Sequence, residues 1–112
     1  MLLTLVCTGL LATTFHQLDQ QYEKETAVVF KYIKLTNEKV SITIENNTFI
    51  MDHVYTYDDL IKTTQSDLKP DTYWYDREAT LNRYTGELIY FANTAGTSKH
   101  FQGTCRKQEK IF

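Results

Sequence analysis

The chain of 112 residues carries 12 Lys and Arg against 14 Asp and Glu, a formal net charge of −2. The basic residues are spread thinly and form no stripe, which excludes a general nucleic-acid binder acting through phosphate neutralisation. An apolar share of 42% and a charged share of 23% exclude a disordered chain and fit one globular domain, and the 13% of aromatic residues favours half-buried pleated surfaces.

Met1 to Phe15 reads MLLTLVCTGLLATTF, with no formally charged residue before Asp19. An apolar run followed by small residues reads in two ways. It is an export signal cleaved after Ala12 or Thr14, or it is the first buried element of the domain. The run falls short of the ~20 apolar residues that span a bilayer, so no stable membrane span is expected. The chain therefore divides into residues 1–14, the signal-like or first buried element, and residues 15–112, a single β-rich domain.

Phe15, Leu18 and Tyr22 stand at helical spacing, and the spacing predicts a short amphipathic helix from Phe15 to Thr26. Ala27 to Leu35 is β-branched and aromatic and reads as a strand, closed by a polar turn from Thr36 to Lys39. Val40, Ile42 and Ile44 alternate with Ser41, Thr43 and Glu45, the clearest two-residue period in the chain. Asn46-Asn47 is the predicted turn, and Thr48 to Tyr55 returns as the partner strand. Asn46-Asn47-Thr48 is also a glycosylation sequon, relevant only in a eukaryotic secretory setting. Thr56 before Tyr57-Asp58-Asp59 predicts a capped helix start, with Leu60, Ile61 and Leu68 on its buried side and Pro70 after it.

The last third reads as a meander of strands at Thr72 to Asn82, Glu87 to Asn93 and Ser98 to Lys107. Gly86 and Gly96 sit where a short hairpin loop needs a left-handed residue. In the last strand Phe101, Gly103 and Cys105 share one face, and His100, Gln102 and Thr104 share the other. The expected fold is mainly β (α+β), an antiparallel meander of about six strands forming a half-barrel or small sandwich, with one or two short helices.

The segment Leu81 to Phe112 carries Leu81-x-Arg83-x-Thr85-Gly86, a hairpin, Gly103-x-Cys105, and a basic tail with Lys107, Lys110 and Phe112. In this it resembles the ends of small exported proteobacterial proteins of unknown function. The resemblance implies export and a β-rich fold, and it implies no activity.

No local pattern supports chemistry. His16, His53 and His100 lie at no metal-binding spacing, and Asp52-His53, as neighbours on a strand, face opposite sides. No nucleophile elbow, P-loop or dinucleotide fingerprint occurs. Cys7 and Cys105 match no zinc spacing and are a disulfide candidate, and a removed N-terminus would leave Cys105 unpaired. Asp76, Glu78 and Glu87 fall near one another, and a solvated face with partners such as Arg77 or Arg83 is preferred over a paired-carboxylate enzyme. The surplus aromatics Tyr73, Trp74, Tyr75, Tyr84, Tyr90 and Phe91 mark either core or a recognition surface, with Trp74, Tyr84 and Tyr90 as the candidate binding residues.

The function expected is a small non-enzymatic binding or inhibitory module, periplasmic or secreted in the bacterial envelope, that recognises another protein by surface contact. No catalytic residue, metal or cofactor is assigned. The alternatives are a cytosolic accessory or phage-type inhibitor whose N-terminus belongs to the fold, and a small hydrolase using Cys105 or the carboxylates.

Overall fold

The computed structural model describes residues 2–18, 20–68, 74–94 and 96–107. These residues form the strands β1 (Leu2–Phe15), β2 (Gln20–Lys34), β3 (Glu38–Ile44), β4 (Asn47–Ile50), β5 (His53–Thr56), β6 (Leu60–Leu68), β7 (Trp74–Asn82), β8 (Glu87–Thr94) and β9 (Thr97–Lys107). One antiparallel sheet holds them in the order β4-β3-β2-β1-β9-β8-β7-β6-β5. The first and last strands of the chain are therefore neighbours in the middle of the sheet. The two outermost strands, β4 and β5, are consecutive in sequence.

That order curls the sheet into a half-barrel whose outer strands meet at one corner. Met51 N–H donates to the Val40 carbonyl at 2.9 Å, and Asp52 N–H donates to the Thr64 carbonyl at 3.0 Å, so adjacent corner residues bond to opposite sides of the seam. Side chains add to the seam. Thr56 Oγ1 donates to Glu38 Oε2 at 2.7 Å, and Gln65 Nε2 donates to the Ile50 carbonyl at 3.0 Å.

The concave face is the core, and its residues follow the two-residue period of a strand. Leu5, Cys7 and Leu11 of β1 point inward beside Val28, Phe30 and Tyr32 of β2 and Val40, Ile42 and Ile44 of β3. Ala79 and Leu81 of β7, Leu88, Tyr90 and Ala92 of β8, and Phe101 of β9 complete it. Each fully buried large side chain contributes about 1.5–3 kcal/mol of apolar burial. Thr63 is the one buried polar side chain among the described residues, and its hydroxyl donates to the His53 carbonyl at 2.8 Å.

β1 and β9 approach closely because Gly9 and Gly103 face each other across the pair. A Cβ on Gly9 would lie 2.0 Å from the Gln102 carbonyl oxygen, and one on Gly103 would lie 2.4 Å from that of Thr8. Two residues along, Cys7 stands opposite Cys105, and the two form a disulfide.

Several sequence expectations change. The described residues hold nine strands instead of six, and no helix. Phe15 to Thr26 is the end of β1, a turn and the start of β2, and the apparent helical spacing comes from Phe15 and Tyr22 meeting across that hairpin, ring centroids 5.7 Å apart. Thr56 does not cap a helix. A tight turn with Tyr57 N–H on the Leu60 carbonyl leads into β6. The expected strand Thr48 to Tyr55 breaks at the corner into β4 and β5, and the β3–β4 turn is Glu45-Asn46, with Ile44 paired to Asn47. Pro70 and the tail residues Lys110 and Phe112 lie outside the described residues. The segment read as signal-like or first buried element is β1 from Leu2 onward, paired along its length with β2 and from Leu5 onward with β9.

Candidate functional site

The interior changes character toward the end of the half-barrel where β1, β3 and β8 finish and β2, β7 and β9 begin. There the inward positions step from aliphatic to aromatic and charged: Leu11, Thr13 and Phe15 along β1, Ala92 and Thr94 along β8, and Lys99 and Thr97 on β9. They line an open cup of about 670 Å³ together with Tyr22, Lys24, Ile44, Glu45, Asn47, Phe49, Arg77 and Tyr90. The volume is in the range of small-ligand pockets, and a largely apolar floor with a few convergent polar groups is the usual composition of such sites.

Electrostatics set the character of the cup. Among the described lining residues three cations, Lys24, Arg77 and Lys99, face one carboxylate, Glu45. Glu45 Oε1 lies 2.6 Å from Lys99 Nζ, and its Oε2 lies 3.0 Å from Lys24 Nζ. The Lys99 hydrogen bond holds the Glu45 carboxyl below its ordinary value of 4.5, against the opposing effect of burial, with Lys24 adding to the lowering. The guanidinium of Arg77 sits 3.7 Å from the Phe49 ring centroid and donates to Gln65 Oε1 at 3.2 Å. Burial pushes the Tyr90 phenol above its ordinary 10.0, and the charge and hydrogen bond of Arg77 pull it the other way.

Glu45 is held in an uncommon backbone state. It has φ 51° and Asn46 has φ 66°, the two left-handed residues of a tight hairpin turn. Asn, Asp and Gly are the usual residues in such a turn. A glutamate held left-handed costs on the order of 1 kcal/mol. The turn is secured by Asn47 Nδ2 on the Glu45 carbonyl at 3.2 Å and by the two lysines on its side chain.

The candidate binding residues are not brought together. Tyr90 is 1% exposed and belongs to the interior floor of the cup. Tyr84 is 76% exposed at the β7–β8 turn. The side chain of Trp74 lies outside the described residues, as does Tyr73. Phe91 faces outward and stacks on His100 at 4.5 Å with an interplanar angle of 14°. His53 is exposed on β5 beside Tyr55, and among the described residues no group of His, Cys, Asp and Glu is placed to hold a metal.

The motif of the last third is structural. Asn82 Oδ1 accepts from the N–H groups of Tyr84 and Thr85, at 2.9 and 3.0 Å. Gly86 has φ 78° and accepts Cys105 N–H at 2.7 Å. Arg83 fastens the turn to the Tyr57–Asp59 loop, with Nη1 on the Tyr57 carbonyl at 2.6 Å and N–H on the Asp59 carbonyl at 2.8 Å. Glu78 pairs with Lys62 at 3.4 Å on the outer face, and Arg77 lines the cup.

One arrangement looks like a nucleophile and its base. His16 Nε2 lies 2.7 Å from Ser98 Oγ. However, the Ser98 hydroxyl donates to Asn93 Oδ1 at 2.8 Å, so its proton points away from the imidazole and the histidine is the donor. A base must accept the proton of the nucleophile it activates, which this geometry does not provide.

Sequence reasoning missed Lys24, Glu45, Arg77 and Lys99. A signal was present for three of them. Lys24 shares the inward phase of Val28, Phe30 and Tyr32; Arg77 shares that of Ala79 and Leu81; and Lys99 shares that of Phe101. No protein-family model, curated protein or solved structure matches the chain.

Proposed function

We propose that this chain is a non-enzymatic binding module that takes a small amphipathic ligand into the cup at the Glu45 end of the half-barrel. The observation that carries the reading is the cup itself. It has a floor of Leu11, Ile44, Tyr90 and Ala92, an aromatic wall including Phe15, Tyr22 and Phe49, and polar groups gathered on one side. Among the described residues no nucleophile with an accepting base accompanies it, which favours capture over turnover.

Binding of the neutral probe N-phenyl-1-naphthylamine, followed by its fluorescence, tests the reading. Saturable one-site binding is expected, and Thr13→Trp, which fills the cup from its wall, should abolish it while leaving the far-ultraviolet spectrum intact. Signal that grows without saturating and is indifferent to Thr13→Trp refutes it.

An oxidising, exported setting is kept as part of the proposal, with residues 1–14 retained as part of the sheet instead of being cleaved off. A disulfide persists in an oxidising compartment, which suits a periplasmic or secreted protein, and the resemblance to exported proteobacterial proteins agrees. Partner recognition through a protein surface has one supporting observation. Tyr84 and Tyr57 are both exposed, on two loops tied together by Arg83. Replacing both tyrosines with alanine would remove that aromatic pair with little effect on the core. Capture of a partner from the source cell that survives the double change counts against this second reading.

A further inference from the structure

We infer that the half-barrel has a second ligand site, at the end opposite the cup, which takes a small single-chain organic anion. The charged head lies among Arg83, Arg106, Lys107 and the Tyr32 hydroxyl, and the apolar body lies on Leu3, Leu5, Ile61 and Leu81. The inference stands apart from the reading of the cup and uses none of the cup's residues.

The first ground is a preformed apolar pocket. It opens where β1 begins and β2, β7 and β9 end, and it encloses about 380 Å³. Leu5, Tyr32, Ile61 and Leu81 are buried, and half-buried Leu3 packs against them. The β7–β8 turn that forms one wall is tied on two sides. Arg83 Nη1 donates to the Tyr57 carbonyl at 2.6 Å, and Cys105 N–H donates to the Gly86 carbonyl at 2.7 Å. A wall fixed before binding spares the ligand the cost of ordering it. At ~30 Å³ for each water-sized group, the space takes about a dozen non-hydrogen atoms, which is one short chain with a compact head.

The second ground is the charge at the mouth. Among the described residues that line the pocket are four of the chain's 12 Lys and Arg and none of its 14 Asp and Glu. Lys34 is met by Glu38 at 3.8 Å. Arg106 and Lys107 make no ion pair or hydrogen bond among the described residues, and the Arg83 guanidinium bonds a backbone carbonyl instead of a carboxylate. The net charge of the whole chain is −2, so this positive cluster is local. Cations gathered at the mouth of an apolar pocket focus an attractive field on anions.

The third ground is a buried polar group without a partner. Tyr32 lines the pocket with 5% of its surface exposed, and its hydroxyl takes part in no hydrogen bond among the described residues. The other polar side chains there are engaged: Thr56 Oγ1 donates to Glu38 Oε2 at 2.7 Å, and Asn82 Oδ1 accepts from the N–H groups of Tyr84 and Thr85. A buried hydroxyl is costly to leave unbonded, and an acceptor on a bound head satisfies it. The groups left to serve a ligand are then one hydroxyl and three cations. A cationic head meets like charge, and an alcohol uses the hydroxyl alone. A carboxylate or phosphate monoester accepts from both kinds of donor, and charge-assisted bonds of that kind are the strong ones.

The test is calorimetric titration of the full chain with octanoate, 1-octanol and octylamine. Octanoate should bind at one site on the order of fivefold more tightly than 1-octanol, with octylamine the weakest, and its affinity should fall as salt is raised from about 0.01 M to about 1 M. Tyr32→Phe, which removes only the hydroxyl, should weaken octanoate by about threefold. The exposed pair Arg106→Gln/Lys107→Gln should bring octanoate down to the level of 1-octanol. Thermal unfolding of each variant is measured alongside. Octanoate binding should persist in Thr13→Trp, because that change lies at the other end of the half-barrel. Equal affinity for octanoate and 1-octanol overturns the inference, as does octanoate binding that neither variant weakens. Loss of octanoate binding in Thr13→Trp moves the anion into the cup and also overturns it. Octanoate binding in a chain that fails to bind N-phenyl-1-naphthylamine supports this site and refutes the cup. Flotation with phosphatidylglycerol vesicles, without any response to octanoate, assigns the cations to a membrane surface and overturns the single-chain ligand.

Discussion

Breaking the Cys7–Cys105 bond should remove a large part of the stability of the fold. The bond joins the first strand to the last across a sequence separation of 98. A closed loop of about 100 residues restricts the unfolded chain by up to about 4.7 kcal/mol in the chain-entropy account, and native disulfides typically contribute about 2–4 kcal/mol. A domain of this size has about 5–15 kcal/mol in total. Taking about 3 kcal/mol and a urea dependence of about 1.5 kcal/mol/M, the urea midpoint should fall by about 2 M on reduction. The slope should also rise, because the released unfolded chain exposes more surface. Circular dichroism during urea unfolding, with and without a phosphine reductant, measures both. The double variant Cys7→Ala/Cys105→Ala should fall slightly further than the reduced wild type, since Cys7 is fully buried and its sulfur is then lost from the core. A midpoint shift below about 0.5 M, with reduction verified by mass, refutes the reasoning.

Gly9→Ala should cost about 2–4 kcal/mol in urea unfolding, because its Cβ meets backbone of β9 at 2.0 Å; Gly96→Ala, with nothing within 4 Å and only its φ of 86° against it, should cost about 1 kcal/mol, and equal costs would refute the close-approach account. The Glu45 carboxyl is held below 4.5 when folded, so its contribution is present above that pH and is lost as pH falls through the lower folded value; the stability difference between wild type and Glu45→Gln should shrink on acidification below 4.5, and a difference that grows there refutes it. The Tyr90 phenol is raised above 10.0, so its contribution is present below that pH and is lost as pH rises beyond it; Tyr90→Phe should flatten the alkaline arm of the stability profile, and an unchanged arm counts against the assignment. Deleting residues 1–14 should leave a chain without cooperative unfolding, because β1 lies mid-sheet and carries Cys7, so the mature protein should keep these residues on mass measurement.

Much of the β character was legible, and the failures have identifiable causes. Val40–Ile44 alternates cleanly because β3 has one face in the core and one in solvent. Gly86 and Gly96 take the left-handed conformations that their loops demand. The first half of β2 was read as helical because Gln20 to Glu25 is exposed on both faces at the rim, and a strand with no buried face has no two-residue period to show. β6 hid its period differently: Thr63 occupies a buried position, satisfied by a carbonyl, so polarity there does not track exposure. β1 is apolar on both sides, with Leu2 and Leu10 exposed and Leu5 and Leu11 buried, which is why it resembled a signal. The break at Met51-Asp52 carries neither glycine nor proline, and only closure of the sheet reveals it.

The same ambiguity hid the site. In Leu88 to Ala92 both phases are apolar, Leu88, Tyr90 and Ala92 on one and Ile89 and Phe91 on the other, so no local rule says which aromatic faces out. The neighbouring strands decide it. Tyr90 pairs with Ala79 on one side and Phe101 on the other, both buried, so Tyr90 must be inside and Phe91 outside. Once the inward phase is fixed on every strand, a charged residue that falls on it becomes the informative feature, because charge is excluded from a core unless it is paired or at a rim. Lys24, Arg77 and Lys99 are such residues, and all three fall at the same end of the half-barrel. Glu45 is the counterpart of two of them, Lys24 and Lys99, and Arg77 lies over the Phe49 ring and donates to Gln65, so the inward charges at this rim are met by residues of strands and turns far apart in sequence.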